Sequence, residues 1–334
     1  MKRNYNIEAY RIFLVWLICV LHSVHVLSLV GMGCPCLSNL LEWSVPGFVI
    51  ISGWYGIRFS FQKVLKLYGV CFYCSAVVVL IDWALSGRAA PISDIVKSVY
   101  SIATGYWFVN SYVLLMFLAP MVNSVFDGLE HVAYDEKIKS LFNICLGIAF
   151  LVCVWSFAYT LPYIGKYVPY YKGIEKTSFC TLLAVYAFTR SAKMIVKEEK
   201  VAGWIERLPS SCLIAIFVGV LFVAGIGLGD INGPFALVIA MGSFYCFNKM
   251  HMPKSLDVVI GTVSPSVFAI YLLHTNRIAW NYMQLLGEKC TDHFGNRFVA
   301  YLIVAAVAFV VALMLDAPRR MARYVMLKIK DSIL

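Results

Sequence analysis

The sequence predicts an all-α protein, a polytopic membrane helix bundle of about ten transmembrane helices, and three observations carry that expectation. Of 334 residues, 61% are apolar and only 14% are charged, with a mean hydropathy of +0.79; a water-soluble domain carries about a quarter of its residues charged because water must solvate its surface. The apolar residues come in runs of about twenty, the length a helix needs to cross hydrocarbon. The lysines and arginines between the runs favour one side.

The runs fall near 10–30, 43–59, 67–86, 104–125, 140–161, 174–190, 210–229, 231–248, 259–280 and 298–316. The first is long, holds Arg11 and His22 and lacks a small-residue cleavage site, so it reads as a span and not as a removable signal. The second is short. The ninth contains Pro265, His274 and Arg277, which predicts a broken or re-entrant helix. No repeat or low-complexity tract separates the runs, and residues 1–334 read as a single transmembrane domain without a soluble one.

With the amino terminus placed inside, nineteen lysines and arginines fall in cytoplasmic segments and eight on the opposite side, Arg11 lying within the first span. This is the positive-inside signal. It predicts a multi-pass protein of the cell inner (plasma) membrane with both termini cytoplasmic, and it makes the net charge of +10 topogenic, with no nucleic-acid partner. Eleven cysteines are mostly inside apolar runs, where Cys behaves as a small hydrophobe. Cys34, Cys36 and Cys290 fall in expected outer loops, where a disulfide would form only in an oxidising compartment. No His/Cys set has the spacing of a zinc site, so no metal is expected.

Ionisable groups at bilayer depth cost a few kcal/mol on insertion scales and ask for a reason. Arg11 and His22 are eleven residues apart, three turns plus about 20°, and so share one helix face at roughly 16 Å separation. Glu8 lies one turn before Arg11 on that face, within reach of its guanidinium. Each residue alone has a plain reading: Arg11 snorkels to the interface, and His22 bonds a neighbouring helix. Together they describe a cationic mouth joined to a buried base, suited to an anionic donor and to proton chemistry.

Several stretches resemble the acyltransferase family 3 membrane enzymes. Asn6-Ile7-Glu8-Ala9-Tyr10-Arg11, followed after ten residues by His22, is similar to that family's Arg-x(10)-His signature. Val45-Pro46-Gly47-Phe48-Val49-Ile50-Ile51-Ser52-Gly53-Trp54-Tyr55 looks like its second-helix motif. Trp107-Phe108-Val109-Asn110-Ser111-Tyr112 with Leu118-Ala119-Pro120 resembles its Trp-Tyr/Phe…Tyr…Pro segment, and Ser266 through Tyr271-Leu272-Leu273-His274 its Tyr-Leu-x-His segment. The resemblance runs in order over nearly the whole chain. In place of the family's Arg-x-x-Arg pair just after the second helix stand Lys63 and Lys66, expected in a phosphate-binding loop, which keep the charge but lose the bidentate fork. Glu8 replaces the commoner Asp. The esterase-like domain that some relatives append is expected to be missing.

The resemblance implies acyl transfer, usually of acetyl, from cytoplasmic acyl-CoA (acetyl-CoA) to a carbohydrate hydroxyl of a surface polysaccharide or lipid-linked glycan, with no permanently bound cofactor. The residues fit this independently. CoA phosphates cannot enter hydrocarbon and would stop near Arg11, Lys63 and Lys66, while the pantetheine arm is comparable in length to the Arg11–His22 separation. His22 would serve either as general base on the sugar hydroxyl or as the nucleophile that carries the acyl group. Ser52 lies in the second-helix motif. Glu42 either orients His22 or is a loop carboxylate; Trp107 and Tyr112 either line the tunnel or belong to an interfacial belt; His274 makes a core hydrogen bond. A different class, an exporter or flippase for a glycan or small metabolite, would use the same polar faces. It would show paired broken helices in an inverted repeat, and no such symmetry is visible.

The charge bias makes the orientation checkable. Thiol labelling or reporter fusions should place the 191–208 loop and the carboxy terminus on the cytoplasmic side, and the 31–42 and 281–296 loops on the other. Finding 191–208 and 31–42 on one side would overturn the orientation.

Overall fold

The computed structural model describes residues 4–87, 106–131, 179–196, 234–250 and 252–333, together with Ser93 and Val96. Helices run over Tyr5–Ser28 (α1), Pro35–Leu41 (α2), Ser44–Tyr55 (α3), Phe61–Ser86 (α4), Trp107–His131 (α5), Phe179–Val196 (α6), Pro234–Lys249 (α7), Asp257–Val263 (α8), Val267–His274 (α9), Arg277–Phe294 (α10), Arg297–Leu315 (α11) and Ala317–Ile333 (α12), with no strand among the described residues. The chain is a helical membrane bundle. Five described stretches are long and apolar enough to cross a membrane: Tyr5–Ser28, Phe61–Ser86, Trp107–Gly128, Lys254–His274 and Arg297–Met326. The expected spans at 140–161 and 210–229 lie outside the described residues.

Three expectations are corrected. The 43–59 run forms α3, only 12 residues long, which at 1.5 Å per residue reaches about 18 Å and cannot cross the hydrocarbon alone. The 31–42 and 281–296 segments, expected as loops, contain α2 and most of α10. Cys290 is therefore a buried residue of α10, and Cys34, Cys36 and Cys290 are free thiols.

The chain divides into two compact units. The first comprises Met1–Ser44, Val64–Tyr106 and Lys249–Leu334, and α1 is its hub. Asn4 caps α1 by accepting from the backbone N–H of Asn6 at 3.1 Å and of Ile7 at 3.4 Å, the usual role of Asn before a helix. Between Ile12 and Leu21 α1 is apolar all round, as a helix surrounded by others must be. Tyr10, Leu14, Val15, Ile18, Val24 and Leu27 are buried, and the helix packs on α2, α8, α9, α10 and α11. Trp16 meets Phe309 edge-on at 5.9 Å. Asn276 and Asn296 cap α10 and α11, and Gly295, at φ 62°, makes the left-handed turn between them; an L side chain would resist that turn.

The expected break in the ninth run is present. α8 ends in a single 3-10 turn, Ser264-Pro265-Ser266, from which α9 starts. α9 stops at His274, where Tyr106 Oη donates to the carbonyl of Leu272 at 3.1 Å and Thr275 Oγ1 to that of Tyr271 at 2.7 Å. Non-helical backbone at such a place is tolerable when side chains satisfy the freed groups in this way.

The second unit comprises Val45–Lys63 and Trp107–Asn248. Tyr186 Oη donates to Asn123 Oδ1 at 2.8 Å and accepts from Ile57 N–H at 2.9 Å, while Asn123 Nδ2 donates to Ile57 O at 3.0 Å. Two side chains thus hold both backbone groups of the residue that leaves α3. Lys193 Nζ caps the Trp54 carbonyl of the same helix end at 2.6 Å.

Gly53 lets α3 and α6 approach closely. A Cβ there would sit 2.7 Å from Thr189 Cβ and 3.0 Å from the Tyr186 carbonyl oxygen. Gly53→Val should therefore destabilise the protein by about 1–3 kcal/mol through overpacking, read as a lowered unfolding temperature in detergent. Gly53→Ala should fall between the two, because its helix propensity offsets part of the clash. A stabilised Gly53→Val protein would show that this contact is not close.

Candidate functional site

Five chemistry-bearing side chains converge within the first unit. On α1, Cys19, His22 and His25 succeed one another at three-residue intervals and so climb one side of the helix. His274 is the last residue of α9 and is buried at 2% exposure. Trp280 stands in the first turn of α10, beyond the Thr275-Asn276 break.

His22 Nδ1 lies 2.9 Å from His274 Nε2, and His274 Nδ1 lies 2.6 Å from the Ile270 carbonyl oxygen. A carbonyl oxygen only accepts, so His274 Nδ1 carries the proton and donates to it. His274 Nε2 then has the lone pair and accepts from His22 Nδ1–H. This leaves the lone pair of neutral His22 on Nε2. The protonation pattern follows from one backbone carbonyl, with no carboxylate in the relay. His22 itself is half-buried.

Around this pair the packing is tight. Trp280 lies with its ring centroid 6.0 Å from that of His22, and His25 at 6.1 Å. The Trp280 indole Nε1 is buried without a hydrogen-bond partner, and a buried donor left unpaired costs about 1–3 kcal/mol. His25 Nε2 is 2.6 Å from Ser38 Oγ on α2. The fully buried Cys19 has its Sγ 3.7 Å from His274 Nδ1.

Arg11 lies on the continuous α1 eleven residues before His22, roughly 16 Å along the axis. Its Nη1 donates to Glu8 at 3.2 Å, with the arginine side chain 36% and the glutamate 19% exposed. Glu42 is half-buried at the end of α2. Lys63 and Lys66, expected in a loop, are both exposed on the opening turns of α4, where the helix end itself favours anions. Lys63 Nζ also donates to the Arg58 carbonyl at 3.2 Å.

In the second unit, Ser52 Oγ is 3.0 Å from Tyr112 Oη and donates to Phe48 O at 3.0 Å. Tyr112 stacks on Phe108 at 5.9 Å, and Phe108 meets Trp107 edge-on at 5.8 Å. Two of the sequence motifs therefore touch through Ser52 and Tyr112. Among the described residues no group of His, Cys, Asp or Glu is arranged to hold a metal ion.

Sequence reasoning missed Trp280 and Cys19. The i,i+3 spacing of Cys19 to His22 was visible. Trp280 had no signal, because six residues past His274 an unbroken helix would point it about 120° away.

The relay gives a chemical expectation independent of any substrate. Diethyl pyrocarbonate, which acylates an imidazole lone pair, should modify His22 and spare His274, whose two nitrogens are both engaged. Peptide mass spectrometry reads this directly; an adduct on His274 with none on His22 would reverse the tautomer assignment.

A family model described as an acyltransferase domain matches residues 4–317, nearly the whole chain. No match was found among the curated proteins or among the solved structures.

Proposed function

The chain belongs to this acyltransferase family, and from that premise we propose that it moves an acyl group, acetyl first of all, from cytoplasmic acyl-CoA through the bilayer to a hydroxyl of a surface polysaccharide or lipid-linked glycan. The observation that carries the reading is the Ile270–His274–His22 relay, which presents an unprotonated Nε2 on His22. The carbohydrate acceptor and the acetyl donor rest on the family resemblance.

In this reading the acceptor O–H gives its proton to His22 Nε2 as its oxygen attacks the thioester carbonyl. His274 Nε2 accepts from Nδ1–H throughout and holds the ring while the imidazolium exists. Collapse of the tetrahedral intermediate breaks the C–S bond, and the imidazolium returns the proton to the leaving CoA sulfur. The buried indole N–H of Trp280 is the available donor for the oxygen that gains charge, and such donors act mainly in the transition state. Ser52 and Tyr112, with Trp107 beside them, are assigned to the tunnel wall or acceptor path, and Glu42 to the surroundings of α2.

Arg11, oriented by Glu8, is assigned to the donor phosphates, together with Lys63 and Lys66 at the start of α4. The roughly 16 Å between Arg11 and His22 suits a pantetheine arm laid along α1. Both termini are placed in the cytoplasm and the protein in the cell's inner (plasma) membrane.

The two ends of α1 should separate in kinetics. Arg11→Ala should raise the KM for acyl-CoA by about 10–100-fold, the worth of a charged hydrogen bond, with kcat little changed. His22→Gln should lower kcat by about 10²–10⁴-fold, the usual contribution of a general base, while CoA still binds. Near-normal turnover in His22→Gln would leave His22 structural. Labelled acyl-CoA without acceptor should leave no acyl group on the protein; a stable adduct on His22 would replace the base by a nucleophile.

A further inference from the structure

The carboxy-terminal helix has a chemistry that acyl transfer does not use. α12 follows the membrane-crossing α11 after one residue, Asp316. At 100° per residue, Met321, Tyr324, Val325 and Ile329 share one face with the Lys328 stem among them, Arg319 and Arg323 lie opposite beside Met326, and Arg320 flanks the Tyr324 edge. The apolar face is open: Met321 is 69%, Tyr324 59% and Ile329 52% exposed. Lys328 lies over the Tyr324 ring at 5.2 Å. Across 317–333 five basic residues stand against one acid, Asp331.

The start of α12 is fixed. Asp316 is fully buried; it accepts from Arg319 Nε at 2.6 Å, from Arg319 Nη2 at 2.9 Å and from Ser266 Oγ at 2.6 Å. Arg320 Nη1 donates to the Thr262 carbonyl at 2.6 Å. Ser266 belongs to the turn that opens α9, so one carboxylate ties α12 to the helix that ends in His274. Arg323 and Lys328, past this clamp, are exposed.

We propose that α12 is an interfacial helix that recognises a membrane surface rich in anionic lipid, its Met321/Tyr324/Val325/Ile329 face seated at the headgroup–acyl boundary and Arg323 and Lys328 on lipid phosphates. Five cations in 17 residues exclude a second span. A basic amphipathic helix beside a span lies in the interface plane, and its cations favour anionic over zwitterionic headgroups. The opposed faces and the charge sign favour lipid over a protein partner, which would more often bring acidic residues to Arg323 and Lys328.

The full chain, with photoreactive benzoylphenylalanine in place of Val325, tests this in nanodiscs of phosphatidylcholine mixed with phosphatidylglycerol. Mass spectrometry should find lipid adducts in which phosphatidylglycerol exceeds its mole fraction by about threefold or more, and Arg323→Glu with Lys328→Glu should return the ratio to the mole fraction. These two side chains are exposed, so the double variant should fold. Adducts at the bulk lipid ratio in the unmodified background, cross-links to polypeptide, or no adduct at all would each overturn the proposal. Acyl transfer is not part of the readout, so the outcome is separate from that of the catalytic reading.

Discussion

A polar group inside a membrane protein has to find its partner within the protein, and the hydrogen bond between His22 and His274 is where that requirement shapes the site. Its 2.9 Å length joins the last third of α1 to the end of α9, through two residues 252 positions apart in sequence. Once His274 Nδ1 is given to the Ile270 carbonyl, every other proton in the pair is determined. The orientation of the His22 ring then depends on where α9 stops. α9 can stop there because Tyr106, Thr275 and Asn276 occupy the backbone groups that the break exposes.

The break does a second thing. His274 and Trp280 are six residues apart, and a continuous helix would turn them to different sides. Interrupting the chain at Thr275-Asn276 lets both rings approach His22, at 5.1 and 6.0 Å between centroids. One helix end thus gathers two imidazoles and an indole in a small volume, with less backbone than separate spans would need. The same accounting recurs at other ends: Tyr186 and Asn123 hold Ile57, Lys193 holds Trp54, and Asp316 holds Ser266 and Arg319.

Much was legible beforehand. The Arg11–His22 register is a matter of helical pitch, and α1 keeps that pitch without interruption from Tyr5 to Ser28. Pro265 announced a disturbance of the ninth run, since proline removes an N–H that a helix would use. What failed was length and boundary. α3 is too short to span, because hydropathy counts apolar residues and cannot see that Tyr186 and Asn123 seize the chain at Ile57. Lys63 and Lys66 fell on a helix because α4 begins at Phe61, ahead of its apolar run. The 281–296 segment, expected as an outer loop, is helical; α10 is amphipathic, with Met283, Gly287 and Cys290 buried along one side.

By itself, the sequence determined the class of environment, the face that Arg11 and His22 share, and the family. Composition, spacing and motif are properties of the chain read in order. The partner of His22, its tautomer and the nearness of Trp280 were decided only by tertiary structure. Each depends on where one helix ends against another, and such an end is set partly by side chains distant in sequence, as Tyr106 on the Leu272 carbonyl shows, which no local pattern records.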